Sequence, residues 1–209
     1  MNKDIQDIFS RNEVIDKIAF LNWRMESGDI VNLFNLGDGY FDSAIILCDR
    51  CLSKNKGKIA DILIFPIFMN FNHGIELYLK GLTLTLNELL KIDIKIDGTH
   101  NLNQLFSVLK ARIKDLDGQK KANEIVKDNF NLREYLNELT TTLNPNQKND
   151  KMDFSRYPFT KKEGNHFYVD TWNNIEVDLE NLKNRITIIY QKLEQYADYF
   201  YYERLQENN

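Results

Sequence analysis

Phe71-Asn72-His73-Gly74-Ile75-Glu76-Leu77-Tyr78-Leu79-Lys80-Gly81-Leu82 lies inside the strongest apolar-periodic stretch of the chain, from about Pro66 to Leu90. At 100° per residue, Phe68, Phe71, Ile75, Leu79, Leu82, Leu86 and Leu89 fall on one broad face, which predicts a helix. Pro66 suits a first helical turn, where its missing N–H would be unpaired anyway. Leu77 and Leu84 lie almost opposite that face, so the helix is expected to be wrapped on more than one side. Gly74 and Gly81 stand seven residues apart on one flank. Each costs about 1 kcal/mol against alanine in a helix, and close approach of another backbone is the expected compensation. A narrow polar stripe of Asn72, His73, Glu76, Lys80, Thr83 and Asn87 runs between the apolar regions. On a wrapped helix such a stripe is expected to face a groove.

Working outward, Val14, Ile15, Ile18, Leu21 and Met25 predict a first helix over about Asn12 to Glu26. Gly37-Asp38-Gly39 reads as a break, followed by a helix from Tyr40 to Lys54. On the far side, Ile92 to Gly98 reads as an extended connector, and Thr99-His100-Asn101 opens a helix carrying Leu102, Leu105, Phe106 and Leu109. Asp115-Leu116-Asp117-Gly118 ends that helix, and another runs from about Gln119 to Leu143. Residues 144–173 break the rhythm with Pro145, Pro158 and Gly164, and the aromatic runs around 154–170 predict a small inserted β-hairpin. The last helix, about Ile175 to Glu203, carries Leu179, Leu182, Ile186, Ile189, Leu193, Tyr196 and Phe200 in the 3-4 alternation of a heptad seam. That seam could pack within the chain or against a second copy. The expectation is one all-α domain over 1–209, a bundle of five to six helices with its core at about 40–200. Residues 1–36 are expected as a helical extension, and 144–173 as a hairpin insertion.

Composition fits this. Among 209 residues, 43% are hydrophobic and 12% aromatic, which supplies a core without staples, while three prolines and nine glycines are too few for a turn-dense sandwich. The net charge of −4 excludes a basic, DNA-coating protein on bulk electrostatics, so DNA is not an expected partner. The N-terminal residues have acids where a signal peptide would be apolar. The longest apolar run, Ile62 to Met69, is far short of the roughly 20 residues that span a bilayer. A cytoplasmic protein without a membrane association is expected.

The chemistry-bearing motifs are few. Cys48-Asp49-Arg50-Cys51 has metal-ligand spacing but no second pair, and reads as two small hydrophobes on one helix face. No Gly-x-Ser-x-Gly, phosphate loop, dinucleotide fingerprint or His-Glu-x-x-His occurs, so no metal and no cofactor is expected. What remains is the polar stripe. Glu76 and Lys80 are spaced to pair along the helix, and His100 could reach them from the next. Arg156-Tyr157-Pro158 adds a fixed cation beside an aromatic plane, a combination suited to phosphate and base. Expected ligand-binding residues are Asn72, His73, Glu76, Lys80, His100, Arg156 and Tyr157.

These residues carry a family resemblance. The run Phe71 to Leu82 followed by Thr99-His100-Asn101-Leu102-Asn103-Gln104-Leu105 resembles the HEPN superfamily, whose members often pair a Glu-x-x-Leu-Lys-like helix with a His-x-Leu-x-x-Leu-like helix start. Arg156-Tyr157-Pro158 looks like the Arg-Tyr-Pro element of that superfamily, and Tyr40-Phe41-Asp42-Ser43-Ala44 like the start of its first core helix. The resemblance implies a helical bundle, frequently a homodimer, in bacterial defence, toxin–antitoxin or RNA-processing systems. It also implies that active members cut RNA without metal through an Arg-x4-6-His motif.

This chain departs from that motif. None of its arginines is followed by a histidine at the required distance, and the nearest case, Arg156 to His166, is ten apart. The first expectation is therefore a non-catalytic binding module for RNA or a nucleotide. A protein–protein adaptor working through the last helix comes second. A metal-independent ribonuclease comes third, with His100, Arg156 and His166 as its catalytic candidates.

Overall fold

A computed structural model describes residues 7–21, 28–94, 98–143, 153–157 and 175–206. It is all-α: among the described residues there are five α-helices and no strand. They are α1 (Gly28–Ser53), α2 (Ala60–Leu89), α3 (Leu102–Asp128), α4 (Phe130–Leu143) and α5 (Leu179–Ala197), the last continuing as a π-helix over Asp198–Leu205.

Helix α2 is the central element, and α1 lies antiparallel along it. On α1 the buried positions are Ile30, Phe34, Gly37, Phe41, Ala44, Cys48 and Cys51, an unbroken 4-3 alternation that lays one stripe against a partner helix. The two helices interlock by placing rings over glycines. A Cβ on Gly81 would stand 2.5 Å from the Phe34 ring, one on Gly74 3.0 Å from Phe41, and one on Gly37 2.7 Å from Tyr78. What Gly74 and Gly81 admit is thus an aromatic ring from α1, where a backbone was expected. The seam also explains why α1 runs straight through Gly37-Asp38-Gly39. Gly37 is itself a seam position, so the expected break is absent and α1 starts at Gly28.

Three other boundaries move for local reasons. Helix α2 begins six residues before Pro66, because the Asn55 side chain accepts a bond from the Ala60 N–H at 3.0 Å and starts the helix there. Its far end closes through Ile92 N–H to Asn87 C=O (2.8 Å) and Lys91 N–H to Glu88 C=O (3.0 Å), with Lys91 in the left-handed region (φ 55°). The chain does break at Gly118 (φ 85°, ψ 172°), but as a kink within α3; α4 begins only after Asn129. The expected N-terminal helix is not formed in residues 7–21. They hold one 3-10 turn, Ile15–Lys17, with Ile8, Phe9, Val14, Ile15, Phe20 and Leu21 exposed, so this apolar set finds no face to cover.

The heptad seam of α5 is spent inside the chain. Leu182, Ile186, Ile189 and Leu193 are buried, and α5 packs against α1, α2 and α4. After Leu193 the buried set slips to Ala197, Tyr201 and Leu205, alongside Phe200. The wider turn of a π-helix moves the inward face along the sequence, so Tyr201 meets Phe34 (6.0 Å between ring centres) and Tyr196 is left half-buried. The hairpin was expected over about 154–170; of that region residues 153–157 are described, and Asp153–Ser155 form a 3-10 turn held by Phe154 on Phe68 where a strand was expected to begin, while residues 158–174 lie outside the described residues. By length and composition α2 could cross a membrane, but here half of its most apolar stretch is buried within the bundle.

Candidate functional site

The polar stripe of α2 lies roughly opposite its glycines, and most of it is consumed by neighbouring helices. Asn72 Oδ1 accepts the Tyr135 hydroxyl of α4 at 2.6 Å. Asn87 accepts from Arg112 Nε of α3 at 2.7 Å and donates to the Ile94 carbonyl at 3.1 Å. Thr83 returns its hydroxyl to the Leu79 carbonyl of its own helix. The stripe is therefore chiefly a set of inter-helix ties, where an open groove was expected.

Around Glu76 it opens to the surface. The Glu76 side chain is only 6% exposed, yet Oε1 accepts from both Lys80 Nζ (2.8 Å) and His100 Nδ1 (2.9 Å). His73 Nδ1 stands 3.7 Å from Oε2, beyond hydrogen-bond reach, with its ring edge-on to Tyr40 of α1 at 4.4 Å. Burial alone would push the Glu76 carboxyl up. The approach of His73, the bond and charge of Lys80 and the bond from His100 outweigh it and hold the group down at about 2. Exposure rises outward from the carboxylate, through Lys80 (15%) and His73 (26%) to His100 (53%).

Local structure fixes His100 there. Asn101 caps α3 by accepting from Gln104 N–H at 3.0 Å, and Thr99 Oγ1 accepts from Asn101 N–H and donates to Gln104. The residue just before that cap is thereby presented to the middle of α2. Two buried nitrogens beside the carboxylate, Asn72 Nδ2 and His73 Nδ1, have no hydrogen-bond partner among the described residues.

The structure thus brings together Asn72, His73, Glu76, Lys80 and His100. Arg156 and Tyr157 are not in the cluster. Both are exposed, on the turn that Phe154 anchors to Phe68, which is eight residues, or about 12 Å along the helix, before Glu76. His166 lies outside the described residues. Cys48 and Cys51 are core residues, and burial pushes the Cys48 thiol up to about 11. Among the described residues no group of three or more metal-ligating side chains is placed to hold an ion.

Sequence reading missed two features. An Asp38 carboxylate accepts the hydroxyls of Tyr78 and Tyr190 (3.1 Å for the latter) where α1, α2 and α5 meet. The available signal was that tyrosines within apolar-periodic helices carry a hydroxyl that must find an acceptor. The other is an apolar pocket of about 360 Å³ between α2, α4 and α5, lined by Phe68, Tyr135, Leu139, Phe154 and Leu182, with the Glu138–Arg185 pair (2.6 Å) beside it.

No family model, no curated protein and no solved structure matches this chain.

Proposed function

We propose that the chain is an HEPN-like helical binding module that engages RNA or a nucleotide at the Glu76 cluster, in a bacterial defence, toxin–antitoxin or stress setting. The observation that supports it is the carboxylate of Glu76, buried in the most apolar helix and kept ionised by Lys80 and His100. A core helix gains nothing from a buried charge that an apolar residue would not give, so such a cluster marks a candidate site. The residues involved are those that carry the family resemblance. His73, Lys80 and His100 form the reachable rim, while Asn72 stands behind them. Arg156 and Tyr157 join only as a separate, exposed element, on the turn that packs against Phe68.

Binding is tested with a fluorescent single-stranded RNA and with labelled ATP, read by anisotropy against the full chain. Lys80→Ala and His100→Ala are expected to weaken binding at least tenfold while the fold, read by circular dichroism, is kept. Unchanged binding in both folded variants ends this reading. The resemblance also implies a homodimer; native mass spectrometry reads the stoichiometry and any bound ligand together.

One observation favours a second reading, a metal-independent ribonuclease. A histidine held by a buried carboxylate is the arrangement of a positioned acid–base group. Metal-independent cleavage of RNA that disappears in His100→Ala supports it, and no cleavage at high protein concentration removes it. The adaptor reading would rest on the exposed Tyr199 and Tyr202, because the seam residues Leu182, Ile186, Ile189 and Leu193 are buried within the chain.

A further inference from the structure

Glu76 Oε1 receives two side chains at once, Lys80 Nζ at 2.8 Å and His100 Nδ1 at 2.9 Å. An ammonium has only donors, so Oε1 is an acceptor, and a carboxylate paired with it carries no proton to give. The bond to His100 can therefore form only if Nδ1 bears the hydrogen. A neutral imidazole has one N–H, so the other nitrogen, Nε2, is left with a bare lone pair. The ring is half-exposed, and the capped turn of Thr99 and Asn101 fixes where it starts.

We infer that Glu76 and Lys80 lock His100 as its Nδ1–H tautomer, and that Nε2 accepts a hydrogen bond from a hydroxyl of the bound ligand. The inference rests on the binding reading above and specifies what the site reads. A neutral ring in this state repels groups that only accept, such as phosphate oxygens, and attracts O–H donors. A ribose offers such donors at its 2′ and 3′ positions, and the hydroxyl inferred here is one of these, which a 2′,3′-dideoxy sugar lacks. Glu76 is then a positioning residue, acting on the ligand through His100. Lys80 keeps the carboxylate ionised.

Long-range ¹⁵N–¹H correlation spectra of the labelled full chain, at mildly alkaline pH, read the tautomer directly. The Nδ1–H pattern is expected for His100, with Glu76→Ala returning it to the Nε2–H form that free histidine prefers. An Nε2–H pattern in the unmodified protein overturns the inference, whether or not the variant folds. Cytidine and 2′,3′-dideoxycytidine are then titrated while His100 Nε2 is followed. Cytidine is expected to bind about five- to tenfold more tightly and to shift Nε2, the worth of one hydrogen bond. Equal binding with the Nδ1–H tautomer intact overturns the hydroxyl contact and leaves the binding reading standing. If neither nucleoside nor RNA binds, the binding reading fails and this inference goes with it.

Discussion

Toward α1, α2 presents Gly74, Tyr78 and Gly81; half a turn round, toward α3 and α4, it presents Asn72, Glu76 and Asn87. The first side is covered by rings seated on glycines, and its two hydroxyls are satisfied within the fold, Tyr78 by Asp38 and Thr85 by the Gly81 carbonyl. The second is covered by hydrogen bonds, which reach His100 before α3, Arg112 of α3 and Tyr135 of α4. Apolar interlock depends on shape and tolerates few changes of volume, whereas the polar side depends on partners and on charge. Only the polar side reaches the surface, at His100. One helix thus holds the bundle with one face and keeps chemistry available on the other.

The interlock should give the largest effect. Phe41 has no exposed surface, stacks on Tyr190 at 4.6 Å and packs against Phe71 and Tyr78. Phe41→Ala leaves a cavity at the centre of three helices and is expected to cost about 3–5 kcal/mol in urea denaturation. A loss below about 1 kcal/mol would show that α1 can close on α2 without its rings, and would break the contrast at its root.

The polar side is probed by pH. Folding holds the Glu76 carboxyl at about 2, below its ordinary 4.5. A depressed acid contributes its full stability above the unfolded value, and that contribution is lost as pH falls from about 4.5 through about 2. The size is on the order of 3 kcal/mol. Glu76→Gln should therefore be less stable than the unmodified chain near pH 7, with the two converging at the acid end of that window. Parallel curves from neutral to acid pH would mean that the carboxylate is not held by Lys80 and His100.

How legible each side was in the sequence follows from the same physics. The helices of the core were readable because burial imposes a 3-4 period, and it was readable residue by residue in α2 and, as far as Leu193, in α5. The cap at Asn101 was readable because the signal is local. Boundaries at Asn55, Gly37 and Lys91 were not, since each is decided by a partner elsewhere: an amide five residues on, an aromatic ring across the seam, a carbonyl one turn back. The site was legible in part. Glu76, Lys80 and His100 follow from helical spacing and the cap, but Tyr135 on Asn72 and Arg112 on Asn87 join positions 63 and 25 residues apart, beyond any local rule. The exposed apolar residues of 7–21 show the converse, a period with nothing to pack against.

Two glycines sharpen the apolar side with smaller effects. Alanine normally stabilises a helix by about 1 kcal/mol over glycine. At Gly39, where nothing lies within 4 Å of an added Cβ, Gly39→Ala should show a gain of about 0.5–1 kcal/mol. At Gly81 the same methyl would stand 2.5 Å from Phe34, whose ring is packed on Tyr78 and Tyr201 and cannot swing aside. Gly81→Ala should cost about 1–2 kcal/mol net of the propensity gain. Thermal melts of the two variants, moving in opposite directions, check this; shifts of the same sign would mean that the rings yield.

The smallest effect concerns Glu194 on α5, and its sign is opposite to that of Glu76. Burial, with Asp38 and Asp198 close by, raises its carboxyl above the ordinary value. A raised acid is one the fold prefers protonated, so its charge weighs against folding at neutral pH and is relieved as pH falls toward its folded value. The group is partly exposed and water screens it, so Glu194→Gln is expected to stabilise by no more than about 0.5 kcal/mol near pH 7. The gain should vanish in acid, where both side chains are neutral. Two glutamates, one held by Lys80 and two histidines and one set beside carboxylates, should thus give pH slopes of opposite sign in the same molecule. A gain for Glu194→Gln that persists in acid would trace its effect to packing beside Tyr190 and leave charge out of it.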